Sequence, residues 1–494
     1  MSAATSTHPH HLDDPVHDLL IVGAGINGAG IARDAAGRGL SVLLCDQGDI
    51  GGATSSASSK LIHGGLRYLE QGEFRLVAEA LAEREVVLRL APHLAHPLRF
   101  VLPHAGMVRP AWMVRLGLLL YDGLSRARAG TSPSLPHSIA LDLTDSPLGS
   151  ALRPEFTRGY AYYDVAVDDA RLTLANARAA ADLGATVLRD MRLVGARRKD
   201  GLWLATLEAT HGARREVRAR ALINAAGPWV AQVLAGLPPE NEQAGVQLVK
   251  GSHIVVRQLY PGEHAYILQN DDQRVVFLLP FMQAFTLIGT TDVKVSGPED
   301  AHITPEEIDY LCRAVNRYSR RPITLADAVW SFAGIRPLFD DGHGNPADIT
   351  RDYHFLLDRT PGEPPALSIF GGKLTTYRKL AERALEKIAP WFPDMGARGR
   401  PSSPCPAAIS RASPSSIGDW QQATRSCRRL YSMGSPGAMA DWRSRYWARR
   451  RQAPLSVAIS APACVNASSN TSSKKNGRKA PMTFSGAAAS WACS

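Results

Sequence analysis

Four cationic residues and two histidines carry the chemistry that side-chain type alone suggests. Arg67 lies in "KLIHGGLRYLE", Arg336 and Arg351 in "FAGIRPLFDDGHGNPADITRDYHF", and Lys373 follows a glycine pair in "FGGKLTTYRKLAE". Planar guanidinium groups bind phosphate oxygens in bidentate fashion, so these cations together would enclose a phosphate dianion. Singly, each is a surface charge or an ion-pair partner. His63, in the first run, and His253, in "LVKGSHIVV", belong to the residue type that titrates near neutrality, which suits a general base. A lone histidine beside a strand is more often structural than catalytic. What matters is whether the fold brings these separated residues together.

The element that would position them starts upstream. "HDLLIVGAGINGAGIARDAAGRGLSVLLCDQGD" reads as a strand (18–22), a glycine turn, a helix (about 27–37) and a second strand (41–45). Gly23, Gly25 and Gly28 give the GxGxxG spacing, and Asp46 follows the second strand. The first glycine permits a tight turn, the second lets backbone approach a pyrophosphate, and the third packs helix on strand. Ile26 and Asn27 lie between them, where the helix N-terminus favours an anion. Asp46 suits a ribose 2′-hydroxyl, which fits NAD or the adenosine half of FAD. The chain then turns into "GDIGGATSSASSKLIHGGLRY" rather than a further βα unit. Small hydroxyl residues and glycines offer donors with little bulk, so Thr54, Ser55, Ser56, Ser59, Lys60, His63, Gly64 and Gly65 suit a loop along a pyrophosphate and a flat ring system.

With "TSSASSKLIHGGLRYLEQGEFRLVAEALAEREVVLRLAPHL", "KGSHIVV", "AGIRPL", "ITRDYH" and "FGGKLTTYRKLAE" beside the first motif, the chain resembles the FAD-dependent, respiratory glycerol-3-phosphate dehydrogenases over about 17–390. The resemblance implies an α/β fold: a two-dinucleotide-binding, Rossmann-like FAD domain, discontinuous in sequence, and a substrate domain built on a mixed antiparallel sheet. The expected division is 17–75, 161–235 and 346–390 for the FAD domain, 76–160 for a helical, membrane-proximal insertion, and 236–345 for the substrate cap. It adds Val194, Ala226, Gly227, Gly334, Gly372, Lys373, Leu374 and Thr375 to the FAD contacts. The substrate implied is sn-glycerol 3-phosphate, held by Arg67, Tyr68, His253, Arg336, Arg351, Lys373 and Thr375. His253 would take the hydroxyl proton, with Arg336 and Lys373 as catalytic partners and His63 as the rival base. Hydride would pass to flavin N5 and electrons to ubiquinone or menaquinone. The alternatives are an oxygen-using glycerophosphate oxidase, or a flavin-binding chain without activity. A helix from about 375 to 388 would aim its N-terminus at the flavin and stabilise negative charge on the reduced ring.

Composition sets the remaining limits. The chain has 494 residues, 45% of them apolar, with no apolar run long enough to span a bilayer. Its start lacks a basic n-region and an apolar h-region, so a cytoplasmic location is expected, with peripheral attachment to the cytoplasmic membrane through the quinone. "RPAWMVRLGLLLYDGL" reads as a buried core helix; the alternative is an apolar stripe, Trp112, Met113, Leu116, Leu119 and Leu120, lying on lipid. The six cysteines form no CxxC pair, which argues against a zinc site; Cys45 and Cys312 read as core. "TPEEIDYLCRAVNRY" reads as a scaffold helix capped by Thr304. A homodimer is compatible with these features, and no nucleic-acid partner is expected. Residues 396–494 hold fifteen Lys or Arg against two acids, +13 where the chain carries +10, which leaves −3 for 1–395. This stretch (391–494 with its approach) has no Glu beyond 396, no helical period, and four of the nine tryptophans. Out-of-frame translation near 396–402 is the reading that fits; a basic tail for anionic lipid or nucleic acid is its rival.

Overall fold

The computed structural model describes residues 15–104, 109–129, 135–238, 245–340 and 352–397. Arg351 and the basic tail therefore lie outside the described residues. In chain order, the elements that matter for the site are β1 (Val16–Val22), α1 (Ile26–Gly37), β2 (Val42–Cys45), α2 (Phe74–Leu90), α3 (Ala111–Ala129), β3 (Arg214–Asn224), β4 (Gly245–Arg257), α4 (Pro305–Asn316), β5 (Ala328–Asp340), β6 (Ala366–Phe370) and α5 (Tyr377–Ile388).

Strands β6, β3, β1 and β2 lie side by side and parallel, and Thr186–Leu188 extends the row beyond β2. Val22 pairs with both Asn224 and Cys45, and Asn224 with Ser368, so the carboxyl ends of these strands align along one edge. Ligands of open α/β sheets bind outside such an edge. Both faces of β1 are buried: Leu19 and Ile21 pack with α1 and α5, and Leu20 and Val22 with Trp203 and Leu207. That is why these strands are continuously apolar. Val194, expected at the cofactor, falls in the second of two short strands, Thr186–Leu188 and Met191–Lys199, separated by a bend in which Asp190 has φ +57°.

A second sheet of ten strands carries β4, which pairs antiparallel with β5 along nearly its whole length. Period-two alternation sends Ile254 and Val256 into a cluster with Leu311 and Val315 of α4, and Val255 into another with Phe100 and Leu279. Helix α4 starts as the sequence predicts: Thr304 accepts from Glu307 N, and Glu307 accepts from Thr304 N at 3.0 Å. Such reciprocal caps stabilise a helix start by about 1 kcal/mol.

Helix α3 is a core helix on one face only. Val114, Leu118 and Tyr121 are buried, while Trp112, Met113, Leu116, Leu119 and Leu120 all face outward, Trp112 with 68% exposure. The predicted stripe is thus on the outside, and the buried-helix reading is corrected for that face. Cys45 and Cys312 are buried free thiols, as expected.

Candidate active site

Three glycine-rich segments converge at the aligned strand ends. After β1 the chain turns at Gly23, and a Cβ on Gly28 would fall 1.8 Å from Gly23 O, so only glycine allows α1 to start this close. Gly25, the N-cap, has no side chain to satisfy the first turn of α1, which carries no acid. Ser55 of the second segment accepts from Ile26 N at 2.9 Å, and Thr54 Oγ1 donates to Ile335 O at 2.6 Å. This loop thereby bridges α1 and β5. Gly334 is what lets it lie down: a Cβ there would be 2.9 Å from Ala57 O. The third segment follows β6, where Asn27 Nδ2 donates to Gly371 O at 3.2 Å and Thr375 Oγ1 accepts from His63 N. Asn27 Oδ1 is buried without a protein partner at the same place.

These pieces fit a dinucleotide with a flat ring. A helix N-terminus without its own cap, an unpartnered buried amide oxygen and loops of minimal bulk border one cleft of about 350 Å³. Gly25, Ile26, Asn27, Thr54, Ser55, Gly65, Gly227, Gly334, Gly372 and Leu374, all named above as candidate FAD contacts, line it.

The far end of the cleft is built on β4 and β5. Their register sets His253 opposite Phe332, Gly251 opposite Gly334 and Val249 opposite Arg336. His253, Gly251, Gly334 and Arg336 line the cleft, whereas Lys250 and Ser252 point to the other side. There Lys250 Nζ pairs with Glu307 at 2.9 Å, and Ser252 and Thr291 both donate to the same carboxylate. His253 is 3% exposed, stacks on Phe332 at 4.9 Å, and has Nε2 2.9 Å from Ser59 Oγ. Arg336 Nη1 donates to Asp292 at 2.9 Å, an acid that also borders the cleft.

The opening run "KLIHGGLRYLE" supplies the opposite wall. Gly64 N donates to Tyr121 Oη at 2.8 Å, and Tyr121 donates in turn to Asp164, which is paired with Arg84 at 2.8 Å. This buried network pins the turn, after which Arg67 and Tyr68 face the cleft. Lys373 Nζ lies 3.7 Å from the centre of the Tyr68 ring. Both cleft histidines are held neutral. Burial, and then Lys373, depress His63 to about 4; burial, and then Lys60 and Arg336, depress His253 to about 3. Burial disfavours charge of either sign; only the smaller contribution, from Lys373, Lys60 and Arg336, marks this part of the cleft as cationic.

The fold thus brings Arg67, Tyr68, Arg336, Lys373, Thr375, His63, His253 and Ser59 to one cleft. Several other candidates support it from behind. Asp46 accepts from Ala24 N at 2.6 Å and Gly48 N at 2.9 Å, bracing the glycine turn; burial raises its pKa despite those bonds. Gly23, Gly28 and Gly64 shape turns, Ala226 N donates to Asn224, Ser56 is tied within its own loop, and Lys60 bonds both to that loop and to the distant Asp169. Val194 is half-exposed, at the bulge in Met191–Lys199. Asp292 and the Glu70–Arg109 ion pair at the cleft border, and Phe332 behind His253, were not foreseen. Phe332 was within reach, four residues before Arg336 on an alternating strand; nothing marked Asp292.

The family model described as FAD dependent oxidoreductase matches residues 18–378. The chain is 54% identical over 392 residues to the glycerol-3-phosphate dehydrogenase of Pseudomonas aeruginosa, covering 79% of this chain and 75% of that one. It is 50% identical over 391 residues to the D-erythritol 1-phosphate dehydrogenase of Brucella abortus, covering 79% and 77%. Among solved structures, the glycerol-3-phosphate dehydrogenase of Bacillus halodurans complexed with FAD superposes with a TM-score of 0.63 at 26% identity, covering 86% of this chain and 74% of that one.

Proposed function

The chain belongs to the FAD-dependent oxidoreductases of the glycerol-3-phosphate dehydrogenase family, and from that premise we propose that it oxidises sn-glycerol 3-phosphate to dihydroxyacetone phosphate and passes the electrons to a membrane quinone. The observation that carries this reading is the meeting of Arg67, Arg336 and Lys373 with His253 on one cleft. When bound, FAD supplies the two-electron acceptor that takes the carbinol hydride.

The residues of the chain supply alignment and proton transfer. The three cations grip the phosphate, and that remote binding energy fixes the C2 hydroxyl near His253. Asp292 holds one edge of the Arg336 guanidinium and leaves the rest of the fork for the ligand. A phosphate dianion beside Arg336 also offsets a cation that depresses His253, so substrate binding itself raises the basicity of the imidazole. Contact with the membrane is supported by the outward stripe of α3, five apolar side chains on a helix beside the cleft-lining Arg109. Among the described residues no helix is long and apolar enough to cross a membrane.

A second substrate, D-erythritol 1-phosphate, is favoured by the 50% identity to a dehydrogenase of that name. It presents the same phosphate with a longer polyol. The deciding experiment is steady-state turnover of the purified flavoprotein with both phosphates, using a soluble quinone under nitrogen and then air without quinone. Higher kcat/KM for glycerol 3-phosphate with quinone supports the proposal. Preference for the four-carbon ester, or quinone-independent oxygen uptake, replaces the substrate or the acceptor respectively.

A further inference from the structure

Access to His253 is controlled by a residue that the reading above leaves as loop. Nδ1 of His253 is buried and has no hydrogen-bond partner, and its ring is covered by Phe332. The absence of a side chain at Gly289 makes room for the opposite edge, where a Cβ would fall 2.1 Å from the ring. The nitrogen that remains, Nε2, is taken by the hydroxyl of Ser59 at 2.9 Å. Ser59 itself borders the cleft. His253 thus reaches the cleft with Ser59 Oγ already the hydrogen-bond partner of Nε2, and with the ring proton on Nδ1 the hydroxyl donates to Nε2.

The placement of Ser59 is enforced from both sides. Lys60, the next residue, adopts φ +58°, a left-handed conformation that a residue with a side chain takes only when its surroundings hold it there. It is held there by Nζ, which donates to Asp169 at 2.7 Å and to Ser56 O at 3.0 Å, and by its own carbonyl, which accepts from Val167 N at 2.9 Å. Ser58, on the other side, donates to the same Asp169 through both its N–H, at 3.1 Å, and its hydroxyl, at 2.7 Å. Asp169 is fully buried at the head of a helix and has no access to the cleft. Lys60 Nζ also lies 5.3 Å from the centre of the Phe332 ring, the ring on which His253 stacks. One buried carboxylate thus fixes both neighbours of Ser59 and a cation beside the imidazole stack.

We propose that Ser59 is a catalytic residue of this site, its hydroxyl relaying the substrate proton to Nε2 of His253, with Lys60 and Asp169 as positioning residues. This rests on the reading of the cleft as an alcohol-oxidising site. As the carbinol C–H bond breaks and its electron pair departs to the two-electron acceptor, the substrate O–H proton passes to Ser59 Oγ and the proton of Ser59 passes to Nε2. The C=O bond forms, Ser59 ends neutral, His253 ends as imidazolium, and the substrate has lost two electrons. The imidazolium forms where solvent is excluded, so its proton leaves by the same hydroxyl once product departs.

The test is anaerobic flavin reduction by glycerol 3-phosphate in stopped flow, with the holoprotein. For the wild type, rates across mixtures of light and heavy water read the number of protons in flight. A bowed dependence, two protons, is expected; a straight line, one proton, overturns the relay. Ser59→Ala should slow reduction at saturating substrate by about 10²-fold, the lower end of general acid–base contributions. Its flavin content, and its affinity for dihydroxyacetone phosphate read from the flavin difference spectrum, should stay within about twofold, and Ser59→Thr should restore most of the rate. A Ser59→Ala rate within about twofold of wild type overturns the proposal. If that variant does not retain flavin, the wild-type water dependence decides alone. Failure of the wild type to be reduced by glycerol 3-phosphate at all would instead sink the substrate reading.

Discussion

Lys250 and His253 stand three residues apart on one strand, and that odd spacing sends them to opposite worlds. On the closed face, Lys250, Ser252 and Thr291 converge on Glu307, and every polar group there is answered by protein. On the open face, Gly251, His253, Gly334 and Arg336 border a cleft, one imidazole nitrogen is unanswered, and the arginine gives only part of its fork to Asp292. The residue types are alike: a cation, a hydroxyl or imidazole, a carboxylate. What separates scaffold from site is whether the hydrogen-bonding capacity is used up inside the protein.

The sharpest way to break this contrast is on the closed face. Lys250→Ala strands the Glu307 carboxylate, and loss of one partner of a buried pair should lower unfolding free energy by about 3–5 kcal/mol. Urea unfolding of the holoprotein reads it, and a change under about 1 kcal/mol would show that the pair does not hold the strand to α4. On the open face, His253→Asn should leave the unfolding midpoint nearly unchanged while flavin reduction falls by about 10²-fold or more. If stability falls as far as for Lys250→Ala, the two faces do not differ in kind.

Arg336→Ala should raise KM for glycerol 3-phosphate by roughly 10- to 100-fold, as expected for about 1.5–3 kcal/mol of charged hydrogen bonding, and spare flavin content. An unchanged KM removes it from the clamp. The smallest effect is on pH dependence. Burial raises Glu307, but the bonds from Thr291, Lys250 and Ser252 outweigh it and hold the carboxyl below its ordinary value. A depressed carboxyl contributes stability above the unfolded value of about 4.3 and loses it as pH falls through the folded one. Glu307→Gln should therefore flatten the acid side of the stability curve below about pH 4.5. An identical slope in both proteins would assign acid sensitivity elsewhere.

The cofactor half was legible because its instructions are local. Gly23, Gly25 and Gly28 act on their own turn, and the strand ends that frame it follow from one apolar pattern per strand. Even there, Asp46 gives its carboxylate oxygens to the N–H groups of Ala24 and Gly48, a bracing role that the spacing did not reveal. The substrate half depends on pairings between residues far apart. His253 meets Phe332 because β4 and β5 share a register, and Arg336, within β5, meets Asp292 of the loop that follows Gly289. Resemblance, not periodicity, gathered the cations. The parity that hides Lys250 was readable in "LVKGSHIVV", but only with the knowledge that one face would be covered by α4. Lys60 was read as a cofactor contact from its loop; its tie to Asp169 spans more than a hundred residues and leaves no local trace.

The central claim is that the open face grips a phosphorylated alcohol and delivers its electrons to the flavin. It is tested most directly by adding sn-glycerol 3-phosphate, and separately glycerol, to the oxidised flavoprotein without oxygen or any other acceptor. Complete bleaching of the bound flavin by the phosphate ester, and none by glycerol at the same concentration, is expected. Equal bleaching by both, or by neither, would contradict it.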